Sequence, residues 1–169
     1  MMRQTIVSSS VTQDDVESCF NGPIARDFQR LMCGRFLGGG VGRGVFEFAP
    51  NPELVVKIET RNHSFQNVME WEVWTEVQEY VASKWFAPCH SISPCGIVLL
   101  QSRTYELDKS QFPKKMPAFF SDLKYQNFGM LNKQIVAHDY GVSHLIEVGM
   151  TKEMRVADWH NDVTLGIGI

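Results

Sequence analysis

Five glycines within seven residues, Gly38, Gly39, Gly40, Gly42 and Gly44, constrain this chain more than anything else in it. Glycine adopts backbone angles closed to other residues and removes the Cβ that would keep another group at a distance, so the run marks a turn. "GVFEFA" follows, with Val45, Phe46 and Phe48 around Glu47, then the Asn-Pro dipeptide of "NPE", then the β-branched run "LVVKIE", Leu54 to Glu59. Two apolar runs separated by turn residues predict a β-hairpin headed by the glycines.

Around that hairpin the remaining elements fall into order. Residues 1–13 are polar and expected to form an unstructured tail, and residues 14–169 a single domain. Thr12 is placed to cap a short helix with acids in its first turn, and Ile24, Phe28, Leu31 and Met32 have amphipathic spacing. From Asn67 the text "NVMEWEVWTEVQEYVASKWF" reads as a helix, with Met69, Val73, Trp74, Val77, Tyr80 and Val81 inward and Glu72, Glu76 and Glu79 outward. A strand is expected at Ile97 to Leu100 and a Pro-bounded helix or turn in "PKKMPAFFSDL". Two strands should flank Asn132-Lys133, and another should lie in "SHLIEVGM". The last segment, from Thr151, has no clear assignment.

Charge and cysteine content exclude several classes of function. A net charge of -3 and a pI of 5.9 supply no basic field, so neither nucleic acid nor an anionic membrane is an expected partner. Cys19, Cys33, Cys89 and Cys95 form no Cys-x-x-Cys pair, and the five histidines show no metal-ligand spacing. The cysteines read as thiols of a reducing compartment, the histidines as structural or surface groups, and the four tryptophans as core or interface anchors. The N-terminal text holds no continuous apolar segment of a signal or anchor, and a cytoplasmic location is expected.

Two residues next to the glycines bear on chemistry. Lys57 interrupts an apolar strand, and an ammonium there either snorkels to the surface or meets a carboxylate, because burying it unpaired costs several kcal/mol or more. Glu70 is the best-placed acid: Val73, Trp74 and Val77 follow it by three, four and seven residues, so it shares their inward face. Further on, "SDLKYQN" spaces Asp122, Lys124 and Asn127, and "HDYG" holds Asp139, Tyr140 and Gly141. Each motif alone reads equally as a helix cap or a strand-ending turn.

In this order the motifs resemble the protein kinase-like superfamily, whose catalytic loop reads Asp-x-Lys-x-x-Asn and whose metal-binding turn reads Asp-Phe-Gly. The resemblance spans Leu37 to Gly141 and is closest to the small kinase-like proteins of bacteriophages and prophages. It implies an α+β fold: a kinase-like N-lobe of five antiparallel strands plus a helix, with a strongly truncated C-lobe. Residues 101–121 are too few for the helix that supports the family's catalytic loop, and residues 142–169 too few for its substrate lobe. Arg43 stands at the family's third glycine, and Ser121 where a basic residue precedes the catalytic Asp.

The resemblance also implies ATP and Mg²⁺ as cofactors. Gly38, Gly40 and Val45 would contact the nucleotide, and Lys57, oriented by Glu70, its α- and β-phosphates. Asp122 would accept the hydroxyl proton, Lys124 neutralise the transferred phosphoryl group, and Asn127 and Asp139 hold the metal. The expected function is a minimal phosphotransferase acting on a protein hydroxyl. The alternative is an inactive pseudokinase that binds a protein, such as a phage inhibitor of a host protein.

Overall fold

The computed structural model describes residues 10–17, 22–40, 42–60, 65–141 and 149–161. The expected strand in "SHLIEVGM" and residues 1–9 of the expected tail lie almost entirely or entirely outside them. The expected domain is built as two compact units, one from Met1–Asn67 with His90–Gln101, the other from Val68–Cys89 with Ser102–Ile169.

The first unit carries an antiparallel sheet of five strands, ordered β1-β2-β3-β5-β4: β1 Cys33–Gly39, β2 Arg43–Phe48, β3 Leu54–Glu59, β4 Cys89–Ile92 and β5 Val98–Ser102. The predicted hairpin is β2 and β3, with Phe46 opposite Val56 and Val45 opposite Lys57. Asn51 makes its turn: its N–H donates to the Phe48 carbonyl at 3.0 Å, and its side-chain oxygen accepts from Glu53 N–H at 3.1 Å. Helix α1, Gln13–Glu17, is capped as expected by Thr12, whose Oγ1 accepts from Asp15 N–H at 3.3 Å. Val11, Val16, Phe46, Val56 and Ile58 form the core, with Phe36 edge-on to Phe46 at 5.2 Å.

Helix α2, Pro23–Met32, forms where predicted but turns the opposite face inward. Ile24, Phe28 and Leu31 are 85%, 60% and 68% exposed, whereas Gln29 is buried between the half-buried Ala25 and Met32. The chain passes from Met32 directly into β1, and Ala49 N–H holds the Met32 carbonyl at 2.9 Å. That junction sets the helix's rotation, against its own apolar stripe.

Helix α3, Gln66–Val77, buries Asn67, Glu70, Val73 and Val77 along one face. It stops nine residues short of the predicted end at Phe86. Ser83 turns its N–H and hydroxyl onto the Tyr80 carbonyl, a 3-10 turn follows at Val81–Trp85, and Tyr80 and Val81 are exposed rather than inward.

The second unit is centred on aromatic rings. Phe86 lies 5.7, 5.2 and 5.0 Å from Phe119, Phe120 and Tyr140. The hairpin of β7, Phe128–Leu131, and β8, Gln134–Ala137, turns on Asn132 and Lys133 at φ 49° and 65°, the left-handed pair of a type I′ turn. Lys115–Pro117, expected as helix or turn, is strand β6, paired with β9, Met154–Val156. Its partner comes from the C-terminal segment that local patterning could not assign.

The thiols offer a chemical check on the first unit. Burial pushes Cys33 up to about 11, whereas the Ile97 backbone and then the Ser93 hydroxyl lower the pKa of exposed Cys95. Iodoacetamide at pH 7.5 should therefore alkylate Cys95 before Cys33 in the native protein, read by peptide mass spectrometry; the reverse order would contradict this packing. Because folding keeps Cys33 neutral, its contribution to stability is full below the unfolded thiol pKa and is lost as pH rises through about 11.

Candidate functional site

Three predicted nucleotide contacts lie in one row across the first unit's sheet: Gly38 on β1 opposite Val45 on β2, and Val45 opposite Lys57 on β3. Directly paired residues project to the same side of a sheet, so the row presents Val45 and Lys57 together. Lys57 is 2% exposed and therefore does not snorkel to solvent.

The glycines divide by what surrounds them. A Cβ on Gly44 would stand 2.7 Å from Val16 Cγ2, and one on Gly39 would collide with the Val11 carbonyl oxygen, so these two allow close packing of the N-terminal segment. A Cβ on Gly38 or Gly40 would meet nothing within 4 Å. At Gly40 the backbone closes the turn: its N–H donates to the Arg43 carbonyl at 3.0 Å, and its carbonyl accepts from Val11 N–H at 2.7 Å.

Arg43, at the family's third-glycine position, is buried rather than aimed out of the turn. Its Nη1 donates to Asn67 Oδ1 at 3.1 Å. Asn67 Nδ2 in turn donates to the carbonyls of Lys57 at 3.2 Å and Ile97 at 2.8 Å, and Glu59 accepts from the N–H groups of Asn67 at 2.8 Å and Phe65 at 3.1 Å. Glu59 thus places a carboxylate on the first N–H groups of α3, where the helix dipole favours negative charge. Local patterning did not single out Asn67, and Arg43 was marked only as standing where the resembled family has a glycine. An acid shortly before a predicted helix was the available signal for Glu59.

The second unit gathers the remaining candidates. Glu70 is wholly buried on the inward face of α3, as its spacing predicts, and its Oε1 accepts from Tyr140 N–H at 3.3 Å, which ties the helix to the Asp139-Tyr140-Gly141 turn. The Asn127 carbonyl accepts from His138 N–H at 2.8 Å and Asp139 N–H at 3.3 Å, so the two expected metal residues are neighbours. Asn127 Nδ2 donates to Asp122 Oδ2 at 3.3 Å, and Lys124 Nζ stands 3.2 Å from the same oxygen. Four residues scattered from 122 to 139 become one polar cluster, with Asp122 and Lys124 about one-third exposed.

Two histidines near the cluster differ. His138 has Nδ1 at 2.7 Å from Thr104 Oγ1 and Nε2 at 2.8 Å from the Gln126 carbonyl, the structural role expected of it. His160, expected to have an ordinary structural or surface role, has Nε2 at 3.3 Å from Asp122 Oδ1. No sequence spacing could find that contact, because 38 positions separate the two numbers.

Tyr140 stands where the family turn has Phe, and its hydroxyl has a use. It donates to the Ala87 carbonyl at 2.8 Å and lies 3.0 Å from Cys89 Sγ, in a buried site. Tyr140→Phe should therefore cost about 1–2 kcal/mol, since it leaves a buried carbonyl without its donor. Urea denaturation checks this, and an unchanged midpoint would show that the hydroxyl contributes nothing.

The donor set suits a hard cation. With Nδ2 turned to Asp122, Asn127 keeps Oδ1 for a metal, and Asp139 is an exposed carboxylate. Among the described residues no three His, Cys, Asp or Glu side chains converge as a complete cage. Mg²⁺ is ordinarily held by one or two carboxylates together with substrate phosphates rather than by such a cage. Neither the models of known families nor the curated proteins contain a match to this chain. Among the described residues no helix is long and apolar enough to cross a membrane.

Proposed function

We propose that this chain is a minimal ATP- and Mg²⁺-dependent phosphotransferase acting on a protein hydroxyl. The observation that carries the reading is the cluster of Asp122, Lys124, Asn127 and Asp139, anchored by Glu70 through the Tyr140 N–H. A proton acceptor flanked by a cation and an amide, with a second carboxyl residue held on the same amide residue's backbone, is the grouping that phosphoryl transfer calls for. The row Gly38, Val45 and Lys57 supports the same reading from the first unit.

In this proposal Lys57 and the open backbone at Gly38 bind the phosphates, and Asn127 and Asp139 hold the metal, which neutralises charge on the phosphate oxygens when bound. Asp122 takes the proton of the attacking hydroxyl. The new oxygen–phosphorus bond forms as the bond from the γ-phosphorus to the β–γ bridging oxygen breaks, and ADP leaves. Lys124 offsets charge on the phosphoryl group in transit. The test is thermal stability with Mg-ATP against ATP in EDTA: stabilisation that needs the metal supports the reading, and none removes it.

A second reading, a pseudokinase that acts by binding a protein, is favoured by Ile24, Phe28 and Leu31, an exposed stripe on one face of α2. It predicts an unchanged melting temperature under the same conditions.

A further inference from the structure

Among the described residues after β5 no long helix such as supports the catalytic loop in the resembled family is present, yet the cluster's backbone is held. The support comes from the C-terminal segment. Beyond β9, Ala157 N–H donates to the Lys114 carbonyl at 3.0 Å, and Trp159 Nε1 to the Pro113 carbonyl at 2.7 Å. The Trp159 ring lies 5.7 Å from Tyr125, 4.7 Å from Phe112 and 5.0 Å from Phe128. His160 then brackets Lys124: its N–H donates to the Leu123 carbonyl at 3.2 Å, and its carbonyl accepts from Tyr125 N–H at 3.0 Å.

This backbone bridge brings the imidazole to Asp122. The two carboxylate oxygens have different holders. Oδ2 meets Lys124 Nζ and Asn127 Nδ2, whereas Oδ1 meets His160 Nε2 and no other donor among the described residues. The other ring nitrogen, Nδ1, is 3.3 Å from the Asp158 carbonyl. A carboxylate held at one oxygen swings about its Cβ–Cγ bond, and one held at both presents a set direction to an incoming hydroxyl.

We propose that His160 is a positioning residue for Asp122, so that the C-terminal segment, rather than a helix, orients the proton acceptor. This rests on the phosphotransferase reading and adds a residue that the kinase motifs do not contain. The His160 side chain is about half exposed, and the bonds that dock the segment are backbone and Trp159 bonds, so His160→Ala should leave the fold intact.

The test is turnover of Mg-ATP by the full chain, with dephosphorylated casein as hydroxyl donor, in wild type, His160→Ala and His160→Gln. A fall in kcat of roughly 10- to 100-fold for His160→Ala, at an unchanged KM for Mg-ATP, is expected from misdirection of Asp122. His160→Gln, which keeps an N–H donor, should recover most of it. Equal kcat in wild type and His160→Ala overturns the proposal, as does a loss that follows a lowered melting temperature and is not rescued by Gln. A wild type that neither turns over Mg-ATP nor is stabilised by it overturns the phosphotransferase reading itself, a different result from an active wild type indifferent to His160.

Discussion

Mg-ATP at a hundredfold excess over its dissociation constant is expected to raise the melting temperature of this protein by about 5–10 °C. Binding to the folded state alone contributes about 2.7 kcal/mol at that excess, and each kcal/mol moves the midpoint of a chain this long by about 2–4 °C. Asp139→Ala should abolish the Mg²⁺-dependent shift; because Asp139 is exposed, the variant should melt near wild type without nucleotide. Lys57→Met should abolish the shift as well. It keeps most of the buried side-chain volume and removes the ammonium proposed to meet the phosphates, and its own nucleotide-free melt is the baseline. A wild type unmoved by millimolar Mg-ATP would end the nucleotide reading and leave the exposed stripe of α2 as the feature to pursue. A shift that survives Asp139→Ala would instead remove Asp139 from the metal site.

Asn67→Ala is expected to cost about 3 kcal/mol, a fall in melting temperature of roughly 6–12 °C measured by differential scanning calorimetry. Asn67 is wholly buried and makes three side-chain hydrogen bonds, to the Arg43 guanidinium and to the carbonyls of Lys57 and Ile97. Alanine removes all three hydrogen bonds, each contributing about 1 kcal/mol net. Asn67→Asp separates the contributions. It keeps an acceptor for Arg43 but turns a carboxylate oxygen toward two carbonyl oxygens, so it should remain clearly less stable than wild type. A loss below about 0.5 kcal/mol, the range of an ordinary surface substitution, would mean that the network does not join β3, β5 and the glycine turn as described.

How far each part was legible depended on how far its cause reached along the chain. The hairpin of β2 and β3 was readable because alternation, the Asn-Pro turn and the β-branched run are all local. The turn at Asn132-Lys133 and its two flanking strands were readable for the same reason. The inward placement of Glu70 followed from helical spacing alone. The rotation of α2 did not, because a hydrogen bond from Ala49 to Met32 overrode the helix's apolar pattern. Strand β6 was misread because its partner lies nearly forty residues further along. The early end of α3 was missed because the apolar spacing continues past it, whereas the backbone closes a tighter turn from Tyr80 N–H to the Val77 carbonyl.

For the candidate site the division is similar. Sequence by itself determined which chemical groups are present and in what order, and the hairpin that carries Val45 and Lys57; Gly38 joins their row through β1, which no local pattern marked. Only the tertiary structure decided that Asn127 and Asp139 are neighbours, that Arg43 turns inward to Asn67, and that His160 reaches Asp122. Local patterns record the preferences of a few consecutive residues for turn, strand or helix. A hydrogen bond between distant segments depends on the path of all the chain between them, and no short stretch carries that information.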